Sequence, residues 1–293
     1  MPLLVPISDA SDPRLSDFTR LTDHETRVAD AAPNAGHFIA EGEWTLDRLV
    51  ESAFPIRSVL VTPQRLELIG ATLGRLPEST PVFVAPTELL QSIAGFPFHR
   101  GVLVSGGRTP DPLGRNAQRP IHASRLIVAL ENVSNPDNVG SIFRSLAALV
   151  GPRDAGVVVG PGCCHPLYRK AIRVSMGHVF SIPFIHDPDW PASLLGLARS
   201  GFDVAALTLT AEARALGTFK PGRPVVLVVG SEGFGLSEPG LASCPWHLVI
   251  PMAAGVDSLN VGVATAIAIH HVHAVTTADA SPSLPTSSAA EAS

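Results

Sequence analysis

Cysteine is scarce, and the three present (Cys163, Cys164 and Cys244) are odd in number with no CxxC spacing. That excludes a disulfide scaffold and a standard zinc ribbon and favours a reduced, cytoplasmic setting. No apolar run approaches the roughly 20 residues of a membrane helix. The opening Met1-Pro2-Leu3-Leu4-Val5-Pro6 has no basic segment and no long apolar stretch, so no secretory signal is expected. Two nucleotide-binding signatures are also missing. No strand-like run is followed by GxGxxG; the nearest match, Gly160-Pro-Gly162-Cys-Cys-His165, ends in histidine, and GxxxxGK[ST] does not occur. A Rossmann dinucleotide site and a P-loop NTPase are thereby poor readings.

An excess of one charge is lacking where it would matter. The net charge of −5 arises from residues 1–107, with 8 basic against 13 acidic side chains, and from Asp279 and Glu291 in the tail. Residues 108–122 are net +2 through Arg108, Arg115 and Arg119 against Asp111, and residues 123–275 balance at 10 against 10. Bulk charge therefore neither requires nor forbids a polyanionic partner.

What is present is ample apolar material. At 293 residues, with 45% hydrophobic and 16% charged side chains, the chain can bury a core of one large or two ordinary domains. Gly/Pro/Arg-rich residues 108–122 read as a linker, and the Ser/Ala/Pro/Thr-rich residues 276–293 read as a disordered tail. Before the linker, Ser58-Val-Leu-Val-Thr62 and Pro81-Val-Phe-Val-Ala85 predict strands, and 43–53 and 87–94 predict helices, giving a small α/β domain over 1–107.

Over 123–275 the pattern is stronger. Strands are predicted at 126–130, 156–159, 179–182, 204–208, 225–229 and 248–250, and helices at 139–150, 167–175, 190–200 and 259–275. Continuous Val/Ile/Leu runs alternating with helices predict a parallel sheet covered on both faces. Ligands of such sheets bind beyond the carboxyl ends of strands. Three of those ends carry polar, glycine-bearing loops: 131–144, 230–238 and 250–261. Taken singly, Asn135, Asn138 and Ser258 could be ordinary helix caps; three such loops at one sheet edge point instead to a binding site.

These loops resemble the three signature motifs of the SpoU/TrmH branch of the SPOUT methyltransferases. The first is Asn135-Pro-Asp-Asn138-Val-Gly140-Ser-Ile-Phe-Arg144; the second is Val228-Val-Gly230-Ser-Glu232-Gly-Phe-Gly235-Leu; the third is Ile250-Pro-Met252 with Ser258-Leu-Asn260-Val-Gly-Val-Ala264. A fourth stretch, Arg173-Val-Ser175-Met-Gly177, resembles the family's R-x-S-x-G segment. Ser145 and Gly262 stand where Thr and Ser are commoner. In the first domain, Phe38-Ile-Ala-Glu41-Gly42-Glu43 and His99-Arg100-Gly101-Val102 resemble landmarks of the family's ribosomal-protein-like substrate-binding domain.

The resemblance implies an S-adenosylmethionine-dependent methyltransferase acting on ribose 2′-hydroxyls of tRNA or rRNA, with a parallel sheet ending in a C-terminal trefoil knot. It places the cofactor against Leu207, Gly230, Ile250, Met252 and Leu259. It assigns the chemistry to Arg144, Asn138, Glu232, Ser258 and Asn260. Arginine holds its proton too firmly to be a comfortable base, so Arg144 is expected to stabilise the developing alkoxide, with Glu232 orienting the arginine or the cofactor. A homodimer through the first and last helices of the knot domain, RNA as partner and no metal complete the implied picture. Two other readings stand beside it: a noncatalytic RNA-binding protein on the same fold, and a knotted RNA base methyltransferase.

Other residues weigh less. Cys163, Cys164 and His165 are poorly arranged as metal ligands, and His270, His271 and His273 read as packed or interface residues. Arg169 and Arg173, four apart, read equally as a phosphate-facing stripe or a solvated face. In the last helix, Ala266, Ile267, Ile269 and His270 offer a surface better buried than wetted.

Overall fold

The computed structural model describes residues 2–19, 21, 36–95, 100–108, 120–231 and 233–278. The first sheet is built from β1 (Leu3–Pro6), β2 (His37–Glu41), β3 (Ile56–Val61), β4 (Pro81–Val84) and β5 (Val102–Gly107), in the order β1-β4-β3-β5-β2. β1, β4 and β3 run parallel; β5 is antiparallel to both β3 and β2. Helices α1 (Glu43–Val50), α2 (Pro63–Leu68), α3 (Gly70–Leu73) and α4 (Thr87–Ala94) connect these strands.

β3, β4, α1 and α4 lie where apolar periodicity predicts them, α1 ending three residues early. β5 extends through Gly107, because glycines that read as a boundary serve close packing here. A Cβ at Gly106 would fall 2.2 Å from the Phe38 ring, so the ring lies flat on bare backbone.

The second sheet is entirely parallel. It comprises β6 (Leu126–Leu130), β7 (Ala155–Val159), β8 (Phe184–His186), β9 (Asp203–Leu207), β10 (Arg214–Ala215), β11 (Val225–Val229) and β12 (Trp246–Val249), in the order β10-β12-β9-β11-β6-β7-β8. Its helices are α5 (Pro136–Leu149), α6 (Arg169–Val174), α7 (Ala192–Arg199), α8 (Glu238–Ala242) and α9 (Val261–Ala278). Every residue of β6, β7 and β11 is buried, as strands covered on both faces require.

Three expectations are corrected here. Residues 179–182 form no strand: His178–Phe180 is a 3-10 turn, and the strand β8 begins only after Pro183. Met176 (φ 53°) and Gly177 (φ 80°) turn the chain sharply at that point, and an apolar run cannot by itself distinguish a turn from a strand. Residues 276–278 continue α9 and are not tail. Residues 121–122 open a 3-10 turn, Ile121–Ala123, where Ile121 packs against Gly156. Arg115 and Arg119 of the predicted linker lie outside the described residues, as do His99 and residues 279–293.

The two sheets share one apolar core. Phe38 of β2 and Phe54 meet Phe180 of the 178–180 turn at ring centroid distances of 5.3 and 5.6 Å. Polar ties cross the same seam. Arg169 Nη1 lies 2.8 Å from Glu41 Oε1, and Arg173 Nη1 lies 3.9 Å from Oε2. Glu41 is only 3% exposed, so its charge requires compensation. Arg169 thus faces neither phosphate nor solvent. Among the described residues no helix is long and apolar enough to cross a membrane.

Candidate active site

The carboxyl ends of β12, β9, β11 and β6 lie side by side in the sheet, and a cavity of about 430 Å³ opens beyond the first three of them. All five residues expected to hold a cofactor line it: Leu207 ends β9, Gly230 follows β11, Ile250 and Met252 follow β12, and Leu259 precedes α9. Ser258 joins them on the wall. The lining is mostly apolar with polar backbone edges, the character of a site for a planar, partly polar small molecule.

The turn after β11 is folded tightly on itself. Gly235 (φ 66°) donates its N–H to the Ser231 carbonyl at 2.9 Å, and Phe234 N–H reaches Ser231 Oγ at 3.3 Å. A Cβ at Gly230 would lie 2.3 Å from the Gly235 carbonyl carbon and oxygen, so only glycine fits under the turn. The far end of this loop is anchored by a buried carboxylate that the sequence quotes but does not reveal as structural. Glu131 accepts from Trp190 Nε1 at 2.9 Å, from Ser237 Oγ at 2.6 Å and from Ser237 N–H at 3.0 Å. The one signal for it was a charged residue directly after an all-apolar strand. Glu232, assigned to this loop by the family pattern, lies outside the described residues.

Asn138 and Asn260, 122 residues apart, meet behind the cavity. Asn260 Nδ2 donates to Asn138 Oδ1 at 2.9 Å, while Asn260 Oδ1 accepts from Val263 N–H at 3.2 Å and so caps α9. Asn138 is buried and caps nothing; the cap of α5 is Asn135, which accepts from Asp137 N–H, with Pro136 at the first helical position. The pair locks the start of α5 to the start of α9. Gly262 allows this approach, since a Cβ there would lie 2.5 Å from Ser141 Oγ.

Arg144 does not line the cavity. It lies six residues beyond Asn138 on α5, about 9 Å along the axis, exposed and with no acidic partner among the described residues. Gly140, one turn before it, packs on Ala171 and Val174 of α6, and the 178–180 turn packs against α5 as well. Thr210 also escaped the sequence reading, standing in an irregular segment without pattern. It lines the cavity with a buried Oγ1 that has no partner among the described residues.

The Cys163–His165 segment shows no metal-ligand geometry. Burial pushes the Cys163 thiol up to about 11, and among the described residues no cluster could hold a metal ion. His165 Nδ1 accepts from Leu167 N–H at 3.0 Å, and its ring lies 4.6 Å from that of His186. Burial, with the nearby Arg108 and His186 charges, lowers His165 to about 2; burial and Arg108 also lower His186, and burial with Arg48 and Arg144 lowers His178 to about 4. Below the ordinary histidine value of 6.5 the unfolded chain therefore binds protons that the folded chain refuses. Their contribution to stability is complete above that pH and is lost as pH falls. His165→Gln is expected to flatten this acid loss by up to about 1.4 kcal/mol per pH unit, read from urea midpoints at about pH 7 and about pH 5.

Cavity and sheet together define a parallel α/β protein that holds a small cofactor in backbone turns at its strand ends, without a glycine-rich phosphate loop. The sequence profile of the SpoU rRNA methylase family matches residues 125–270. An uncharacterised tRNA/rRNA methyltransferase of Mycobacterium tuberculosis is 36% identical over 268 residues, covering 90% of each chain. Among solved structures, an AdoMet-bound rRNA methyltransferase from Sinorhizobium meliloti superposes with a TM-score of 0.73 at 23% identity, over 92% of this chain and 97% of that one. An RNA 2′-O ribose methyltransferase superposes with a TM-score of 0.70 at 22% identity, over 93% and 99%. The chain belongs to the SpoU methylase family of RNA methyltransferases.

Proposed function

We propose that the protein transfers the methyl group of S-adenosylmethionine to a ribose 2′-hydroxyl of a structured tRNA or rRNA. The observation that carries this reading is the convergence of Leu207, Gly230, Ile250, Met252 and Leu259 on one cavity at the strand ends. Its volume lies within the usual range for cofactor sites, about 300–1,000 Å³. Leu207, Ile250 and Leu259 would cover the faces of the adenine, and the backbone edges of the turns would read its polar rim. The buried Thr210 hydroxyl, without a partner among the described residues, fits a polar atom of the same ligand. Bound there, S-adenosylmethionine supplies an electrophilic methyl carbon on a sulfonium.

The chain's own contribution is positioning and charge. Ser258 on the wall and the Asn138–Asn260 lock hold the third loop over the cavity. Glu232, in the second loop, is assigned to orienting the arginine or the cofactor. Arg144, exposed on α5, is assigned to stabilising the 2′-oxygen as its proton leaves and negative charge develops. The proposal includes the trefoil knot of the family and a cytoplasmic setting. It also includes a homodimer, for which α9 offers Val263 and Ile267, both at least 40% exposed and four residues apart. Ile269 does not belong to that face, since it is fully buried in the chain's own core. The first sheet would serve as the RNA-binding domain of residues 1–107, joined by 108–122 to the catalytic domain 123–275.

Incubation with methyl-labelled S-adenosylmethionine and total tRNA or rRNA, then nuclease digestion and mass spectrometry, tests this. A 2′-O-methylnucleoside is expected. Label on a base would favour base methylation, and no calorimetric binding of S-adenosylmethionine would favour a noncatalytic RNA binder.

A further inference from the structure

On the face of the protein that carries Arg144, an aromatic and two more cationic or titratable groups come together from both sheets. Trp44, on α1, is 61% exposed. Arg48 lies four residues on, on the same face of α1, and its Nη1 donates to the Trp44 carbonyl at 3.3 Å and to the Met176 carbonyl at 2.9 Å. That second bond carries the guanidinium across the seam to the 176–180 turn. A Cβ at Gly177 would already touch Arg48 Cδ at 3.4 Å and Thr45 Cα at 3.3 Å. Next in line is His178, whose buried Nδ1 has no partner among the described residues. The 178–180 turn in turn packs against α5, the helix that carries Arg144. Trp44 and Arg48 on α1, the 176–180 turn and α5 with Arg144 are thus successive neighbours, and among the described residues neither arginine has an acidic partner.

A large aromatic ring left in water beside an arginine that has no acidic partner among the described residues is poorly explained as packing. It matches single-stranded nucleic acid, whose bases stack on aromatic faces while phosphates follow a cationic groove. We propose that this seam is a binding track for a single-stranded RNA segment, with one base stacked on Trp44, a phosphate held by Arg48, and the strand leading past the 178–180 turn to the ribose at Arg144. This rests on the RNA methyltransfer reading and adds to it the chemistry of the substrate near the target: an unpaired, splayed nucleotide rather than a continuous duplex.

The test uses the full chain and a 12-nucleotide oligouridine. Trp44 fluorescence is expected to be quenched on binding in the wild type and the quench to be largely lost in Trp44→Phe, while Trp190 and Trp246 are unaffected. Trp44→Ala is expected to weaken oligouridine binding by roughly 5- to 150-fold, the range for loss of one stacked base, with affinity for S-adenosylmethionine unchanged. Arg48→Gln is expected to reduce the slope of log affinity against log salt by about 0.7, as for one phosphate contact on a single strand. Equal affinities for wild type and Trp44→Ala, or a quench that survives in Trp44→Phe, would overturn the track. So would a Trp44 shielded from acrylamide in the free protein by a second copy. Methyl transfer to total tRNA by the wild type, measured in parallel, separates failure of this surface from failure of the catalytic reading.

Discussion

Replacing Arg144 with alanine is expected to lower the rate of methyl transfer to RNA at saturating cofactor by roughly 10²- to 10³-fold, the usual loss when a preorganised charge at a developing oxyanion is removed. Cofactor affinity should be unchanged, because Arg144 forms no part of the cavity wall. The fold should also survive, since the side chain is exposed on α5. Single-turnover kinetics beside calorimetric titration of S-adenosylmethionine give both quantities. Arg144→Lys should recover only part of the rate, because a point charge replaces the planar fork that can hold an oxygen and a phosphate together. Unchanged turnover in Arg144→Ala would remove this residue from the chemistry.

Gly230→Ala is expected to act in the opposite manner, through the cofactor and the fold. The new methyl would meet backbone atoms of Gly235 and Leu236 at 2.3 to 2.5 Å, and backbone cannot step aside as a side-chain tip can. The 231–236 turn must then open. Overpacking of this kind costs about 1–3 kcal/mol, which thermal or urea unfolding would show. A wall of the cavity moves with the turn, so affinity for S-adenosylmethionine should fall by at least about tenfold, each such factor being about 1.4 kcal/mol. Gly233→Ala is the internal control: a Cβ there meets nothing within 4 Å, and stability should be unaltered. Equal unfolding midpoints for both variants would show that the turn is softer than its geometry implies.

Much of this site could be read before any coordinates, and for a physical reason. Strands buried on both faces leave unbroken runs such as Leu126–Leu130 and Val225–Val229, which fall where the sequence places them. Once those runs are parallel, the loops at their carboxyl ends must share one edge. The shared edge is therefore legible from the strands, while the individual residues of the cavity wall follow from the family resemblance. What escaped were contacts with no local signature. Glu131 looks like the first residue of a polar loop and acts as its anchor through Ser237 and Trp190. Thr210 belongs to an aperiodic stretch. Asn138 resembles a cap and is a lock, because its partner Asn260 stands 122 residues away. The segment 179–182 resembles a strand because its apolar content is visible in the sequence while the left-handed turn at Met176 and Gly177 is not.

The phenylalanine cluster that welds the two sheets bears on how a substrate could be accommodated. Opening the seam would expose Phe38, Phe54 and Phe180 to water and break the Glu41–Arg169 pair at its edge. The protein is in this respect a rigid template rather than a pair of jaws. An RNA that docks across both halves must supply the pliability itself, so selectivity would rest on how cheaply a given loop can be bent to the template.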